Sequence, residues 1–254
     1  GSTAIDAGTT TGAPTADQRG ISRVGQVDIG AYEYVPTLTP TGQLAVNVTT
    51  GQTQETSGQT RGSTKAVSIT PSGNYVVVWT SNQSTGLDAN GRGILMRVFR
   101  PDGTPLTGEI QVNQTTNSEQ QWATVATDDA GNGVVVWTST GQDSGSTTGV
   151  YARRFNAAGA LVGNEFLVNT TVAGNQENAA VAMTGAGAFV VTWSGTGVGD
   201  AAGVFYRRFA ANGTPLDITE RLANGTDRGT ELAPSIAIND AGQFAIAWHV
   251  GNDL

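Results

Sequence analysis

Apolar and polar residues change places along this chain in short runs, and one run recurs. It reads "GNYVVVWTS" at 73–81, "GNGVVVWTS" at 131–139, "GAFVVTWSG" at 187–195 and "GQFAIAWHV" at 242–250. Each copy follows a glycine-containing turn, is continuously apolar and ends in a tryptophan: Trp79, Trp137, Trp193 and Trp248, at steps of 58, 56 and 55 residues. Three further markers keep the same order and period. They are an arginine before an aromatic (Arg97 in "MRVFR", Arg153 in "YARRF", Arg207 in "FYRRF"), a "VN-x-T" segment starting near 46, 112, 168 and 223, and an alternating strand at 66–70, 124–128, 180–184 and 235–239. Four markers in one order at one period define an internal repeat.

Each repeat predicts four short strands, which in the second unit fall near 109–113, 122–127, 133–139 and 149–156. "TPSGN", "DDAGN", "TGAGA" and "NDAGQ" supply hairpin turns, where glycine takes the positive φ that strand twist asks of a turn. The longest and most variable loops are 82–92, 140–148 and 195–202. The VVVW strand, apolar on both faces, reads as an inner strand. The expected fold is all-β, a β-propeller-like array of four-stranded antiparallel repeats of about 55 residues without substantial helix, with a stacked β array as the alternative. The units are placed near 43–107, 108–162, 163–217 and 218–254. The last is short of its final strands, so the chain reads as part of something longer.

Residues 1–34 stand outside the repeat. "PTADQRGISRVGQVDIGAYEY" (14–34) resembles the closing segment of bacterial right-handed parallel β-helix surface proteins, through Asp17, Arg19, Gly20, Arg23, Gly25, Asp28, Ile29, Gly30, Ala31 and Glu33. Residues 35–42 then read as a Pro/Thr linker. The repeats resemble those of very large bacterial exported proteins with tandem "VNTT…FVVVW…GVYARRF" units. That resemblance implies an extracellular or cell-surface setting and transfers no catalytic residue.

Composition narrows the functional classes. Charged residues are 13% and the formal charge is −8, which disfavours nucleic acid as a partner. The absence of cysteine removes disulfides, thiolate catalysis and Cys-based zinc sites together. No apolar run is long enough to cross a membrane as a helix.

The candidate chemistry is sparse. The four repeated tryptophans read as one core slot written four times rather than a sugar platform. Trp122 is different, because Asn178 and Ala233 stand in its place in later units, and it is a candidate ligand contact. Asp88, Asp143 and Asp200 recur in the long loops, where oxygen ligands could hold Ca²⁺. Arg97, Arg153 and Arg207 could converge on a carboxylate in a sialidase-like arrangement with Tyr151 or Tyr206 as nucleophile; the bland reading is one structural arginine per unit. His249, the only histidine, has no metal-binding or triad partner in sequence. Six N-x-S/T sequons occur, at Asn47, Asn82, Asn113, Asn169, Asn212 and Asn224. These readings lead to an expectation of a non-catalytic structural or adhesive segment of a secreted or surface protein, with no cofactor beyond Ca²⁺. It would meet other surface or matrix components, glycans or copies of itself. The alternatives are a carbohydrate- or Ca²⁺-binding propeller module and a sialidase-like glycan hydrolase.

Overall fold

The computed structural model of the chain describes residues 46–47, 53–55, 65–83, 91–143, 147–225 and 229–251. The chain divides into Gly1–Leu44 and Ala45–Leu254, and every described residue lies in the second part. The β-helix-like segment, the linker and Asp88 therefore lie outside the described residues.

Fifteen strands and no helix are found among the described residues. β1 (Thr53–Glu55), β2 (Val67–Ile69), β3 (Tyr75–Gln83), β4 (Gly91–Phe99) and β5 (Ile110–Gln111) form the first sheet. β6 (Gln120–Thr127), β7 (Gly133–Thr140), β8 (Thr148–Phe155) and β9 (Leu161–Leu167) form the second. The third contains β10 (Gln176–Met183), β11 (Phe189–Gly197), β12 (Asp200–Phe209) and β13 (Arg221–Leu222). β14 (Glu231–Ile238) and β15 (Phe244–Val250) pair as the fourth. All pairings are antiparallel, and β10 touches both β6 and β14. The first strands of successive sheets thus adjoin, and the remaining strands step outward from them. The expected propeller-like array of four-stranded antiparallel sheets is the observed fold.

One detail of the array differs from the sequence reading. The "VN-x-T" strand, placed there at the start of a unit, is the outermost strand of the preceding sheet: β5 pairs with β4, and β9 with β8. Sequence period and sheet are offset by one strand, because a marker's order along the chain does not say which neighbour it pairs with.

Alternation along β7 and β11 decides which core each residue joins. Val134 and Val136 face forward with Ala126, Val150 and Ala152, and meet Val181, Val191, Trp193, Phe205 and Phe209 of the third sheet. Val135 and Trp137 face back, onto Val76, Val78, Ile94 and Met96 of the first. An inner strand thus serves two cores, which explains its unbroken apolar run. Gly133 shows how close the fit is. Tyr75 and Phe189 at the same repeat position stack on Phe99 and Phe209, with centroids 5.1 and 4.9 Å apart. A Cβ on Gly133 would lie 2.4 Å from the Phe155 ring, so in the second sheet Phe155 takes that space itself.

The first strands of the last three sheets share one irregularity. A bulge interrupts β6 after Gln121, β10 after Glu177 and β14 after Leu232. The next residue in each, Trp122, Asn178 and Ala233, has a left-handed φ of 60, 57 and 52°. A bulge tolerates extra or unusual residues because it already leaves the ladder.

Candidate functional site

The repeated residues are consumed in joining one sheet to the next. Nε of Arg97, Arg153 and Arg207 donates to the carbonyls of Thr107, Gly163 and Asp217 at 3.0–3.1 Å. Nη1 of Arg153 and Arg207 reaches the preceding sheet's outer segment, at Val112 and Val168 O, and Nη1 of Arg97 reaches the equivalent Val46 O ahead of the first sheet, all at 2.9 Å. Arg97 and Arg207 also lie over Phe99 and Phe209, at 5.3 and 5.6 Å from the ring centroids. Arg153 and Arg207 therefore tie their sheets to the preceding one, Arg97 ties the first sheet to the segment at Val46, and the three do not converge on a ligand. Burial, opposed by the Glu220 and Asp217 charges, lowers the pKa of Arg207.

Acidic residues on the outer strands make the matching link. Glu165 accepts from Gln114 N (2.6 Å), Thr115 N (3.1 Å) and Thr115 Oγ1 (2.6 Å). Glu220 accepts from Thr170 and Thr171 through both backbone N–H groups and both hydroxyls. Burial would push Glu220 up, but these donors outweigh it and hold the carboxyl below its usual range. Inside the junction, Asn113, Asn169 and Asn224 are buried and accept from Ile94, Val150 and Val204 N–H at 2.8–3.0 Å. Three of the six sequons are thus sealed in structural bonds.

The nucleophile candidates fare poorly. Tyr151 is 7% exposed, and burial, with the charges of Asp143 and Glu165 nearby, raises its pKa to about 12. Its phenol holds its proton at neutral pH. Tyr206 packs edge-on to Phe244, at 5.2 Å. His249 is exposed on β15 opposite Leu232. The loop aspartates turn inward onto glycines. A Cβ on Gly149 would meet Asp143 Oδ2 at 2.5 Å, and one on Gly203 would meet Asp200 Cγ at 2.9 Å. Asp200 accepts from Ala202 N at 2.9 Å and Asn224 Nδ2 at 2.7 Å. No group of three or more His, Asp or Glu positioned for a metal occurs among the described residues. Trp79, Trp137 and Trp193 are at most 3% exposed, whereas Trp248 and Trp122 are half-buried.

A site appears where two copies stop matching. Between the third and fourth sheets, at their bulged end, lies a cleft of about 400 Å³ lined by Glu177, Ser194, Thr196, Ala202, Thr230 and Glu231 among others. One junction earlier, Asn175 Oδ1 accepts from Thr148 N at 3.3 Å. Here Thr230 stands in the place of Asn175 with a shorter side chain, and the counterpart donor, Ala202 N, turns instead to Asp200 Oδ1 at 2.9 Å. In the same preceding junction Gln176, fully buried, accepts from Asn169 Nδ2 and donates to Ala173 and Thr196 carbonyls. Glu231 takes the position of Gln176 and is 1% exposed, and Asn224 Nδ2, the counterpart of Asn169 Nδ2, donates to Asp200. The cleft thus brings two carboxylates, Glu177 and Glu231, together with three hydroxyl residues, Ser194, Thr196 and Thr230, in a volume suited to a small ligand. None of its residues was a sequence candidate. The signal in the sequence was a Gln-to-Glu, an Asn-to-Thr and a Thr-to-Ala change at equivalent repeat positions.

No family model and no curated sequence matches the chain. Solved structures do resemble it. An endo-arabinase from Bacteroides thetaiotaomicron is 16% identical, with a TM-score of 0.44 over 72% of this chain and 68% of that one. An α-L-arabinofuranosidase from Lactobacillus brevis is 13% identical, with a TM-score of 0.41 over 72% and 64%. A thermostable family-43 glycoside hydrolase is 12% identical, with a TM-score of 0.45 over 72% and 64%. The chain thus spans about two thirds of the length of these proteins, and the likeness is one of fold. The expected non-catalytic, structural or adhesive role and the expected lack of enzymatic activity are both corrected by these neighbours, which are glycoside hydrolases by name. Repetition had suggested a purely structural chain, but it accounts for the cores and clamps and says nothing of a junction where the copies differ.

Proposed function

We propose that the chain is a carbohydrate-binding propeller-like protein whose ligand sits in the cleft between the third and fourth sheets. The observation that carries this reading is the pairing of Glu177 and Glu231 on one cleft with Ser194 and Thr196. Carboxylates accept from sugar hydroxyls, and these bonds are stronger than neutral ones. The same pair favours a second reading, glycosidic hydrolysis, which takes one carboxyl as acid and another as base or nucleophile.

Isothermal titration with neutral arabino- and xylo-oligosaccharides tests the first reading. Binding is expected for the native chain and a loss of about tenfold or more for Glu177→Gln. A native chain that binds no member of the panel would overturn it. Release of reducing sugar, abolished in both Glu177→Gln and Glu231→Gln, would establish hydrolysis; its absence with binding retained leaves a binding protein.

A further inference from the structure

Trp122 is the one bulge residue whose size the fold does not explain. Its counterparts are Asn178 and Ala233, so the bulge closes without an indole. A left-handed φ of 60° is costly for a bulky residue and natural for glycine or asparagine. Its backbone N–H is fixed on Thr80 Oγ1 at 3.1 Å, across the junction between the first and second sheets. The preceding side chain, Gln121, is held by Arg92 Nη1 at 2.9 Å. The residue is half-buried, unlike Trp79, Trp137 and Trp193, which are at most 3% exposed. Gln121 is the repeat counterpart of Glu177, so Trp122 stands at the same bulged end as the cleft, on β6 beside β10.

We infer that Trp122 is a stacking platform for a sugar ring at one end of an oligosaccharide whose other end occupies the cleft, an inference that rests on the carbohydrate reading above. An indole offers a broad apolar face to the C–H side of a pyranose or furanose and a polar N–H at its edge. Packed sheets lie about 10 Å apart, so a ligand must be several sugars long to touch both places. The strained backbone is tolerated because the ring contributes to binding, a trade of stability for function.

The test is Trp122→Gly, which relieves the left-handed backbone instead of straining it. Affinities for the disaccharide and hexasaccharide of the same arabinose and xylose series are compared, alongside the melting temperature. Expected are an unchanged or higher Tm, unchanged disaccharide affinity and about tenfold weaker hexasaccharide binding. Equal hexasaccharide affinity in the variant and native chain would overturn the inference and leave the cleft standing. So would a lowered Tm, since the ring would then belong to the core. A native chain that binds neither sugar would remove both proposals.

Discussion

The junction between the second and third sheets and the one between the third and fourth are built on the same plan, yet only the second of these carries the described cleft. In the first of the two, Gln176 offers an acceptor and donors to three fixed partners, and Asn175 reaches Thr148 over the space beside it. In the other, a carboxylate stands in the amide's place and shorter residues stand opposite. The β11–β12 hairpin also breaks register between Gly195 and Gly197, beside the cleft, where β7 and β8 pair without interruption.

That contrast can be broken most strongly at its apolar centre. Trp193→Ala removes a fully buried ring from the closed junction and should cost about 3–5 kcal/mol in urea unfolding. Trp248→Ala, half-exposed on the fourth sheet, should cost less than half as much. Equal losses would show that the two junctions bear the same load.

Exchanging the polar centres is the next test. Gln176→Glu turns a buried donor into an acceptor facing the Ala173 and Thr196 carbonyls, and about 1–3 kcal/mol of stability should be lost. The reciprocal Glu231→Gln is expected to cost less in the same assay, because it restores the amide that the preceding junction carries at this position; an equal or larger loss would show that the two centres are not interchangeable.

The outer edge of the third sheet differs from the second in another way. Where the second sheet pairs Arg154 with Val162, the third has Asp217 bonded to Arg208 Nη2 at 2.8 Å and Arg221 Nε at 2.7 Å. The Arg208 guanidinium, foremost, holds the Asp217 carboxyl well below the usual carboxylate range. Asp217→Asn should therefore cost about 1–2 kcal/mol at neutral pH, moderated by the exposure of both arginines. A depressed pKa stabilises the fold above the unfolded value. The deficit of the variant should thus be full above about pH 4 and shrink as pH falls below it. A deficit that persists unchanged at pH 2 would deny the ion pair its role.

The smallest expected effect on stability is the most informative for function. Ala202→Thr with Thr230→Asn brings the side chains of the closed junction into the open one and fills the cleft from both walls. It should alter stability by less than about 1 kcal/mol while abolishing oligosaccharide binding in titration.

Much of the fold was legible in the chain because repetition shows what every copy needs. A tryptophan, an arginine and an Asn-Thr pair recur at one period because each meets the same partners in each junction. The offset between repeat and sheet was hidden, since "VN-x-T" reads equally well as the end of one unit or the start of the next. The site was nearly invisible for a related reason. Glu231 among glutamines and Ala202 after Thr148 look like ordinary drift until the backbone sets them around one space. Trp122 stood out by sequence alone, but its left-handed backbone could only be seen in the folded chain.

The offset has a consequence for how such a chain can be divided or inherited. Each of the first three sheets takes its last strand from the next stretch of sequence, as roof tiles overlap. A cut at any of the turns between β4 and β5 or β8 and β9 would leave one piece with a bare edge and the other with an orphaned strand. A duplication of one full period within the first three sheets, wherever it began, would still leave each of them with its outer strand. Such an array lengthens easily by copying and comes apart only with damage.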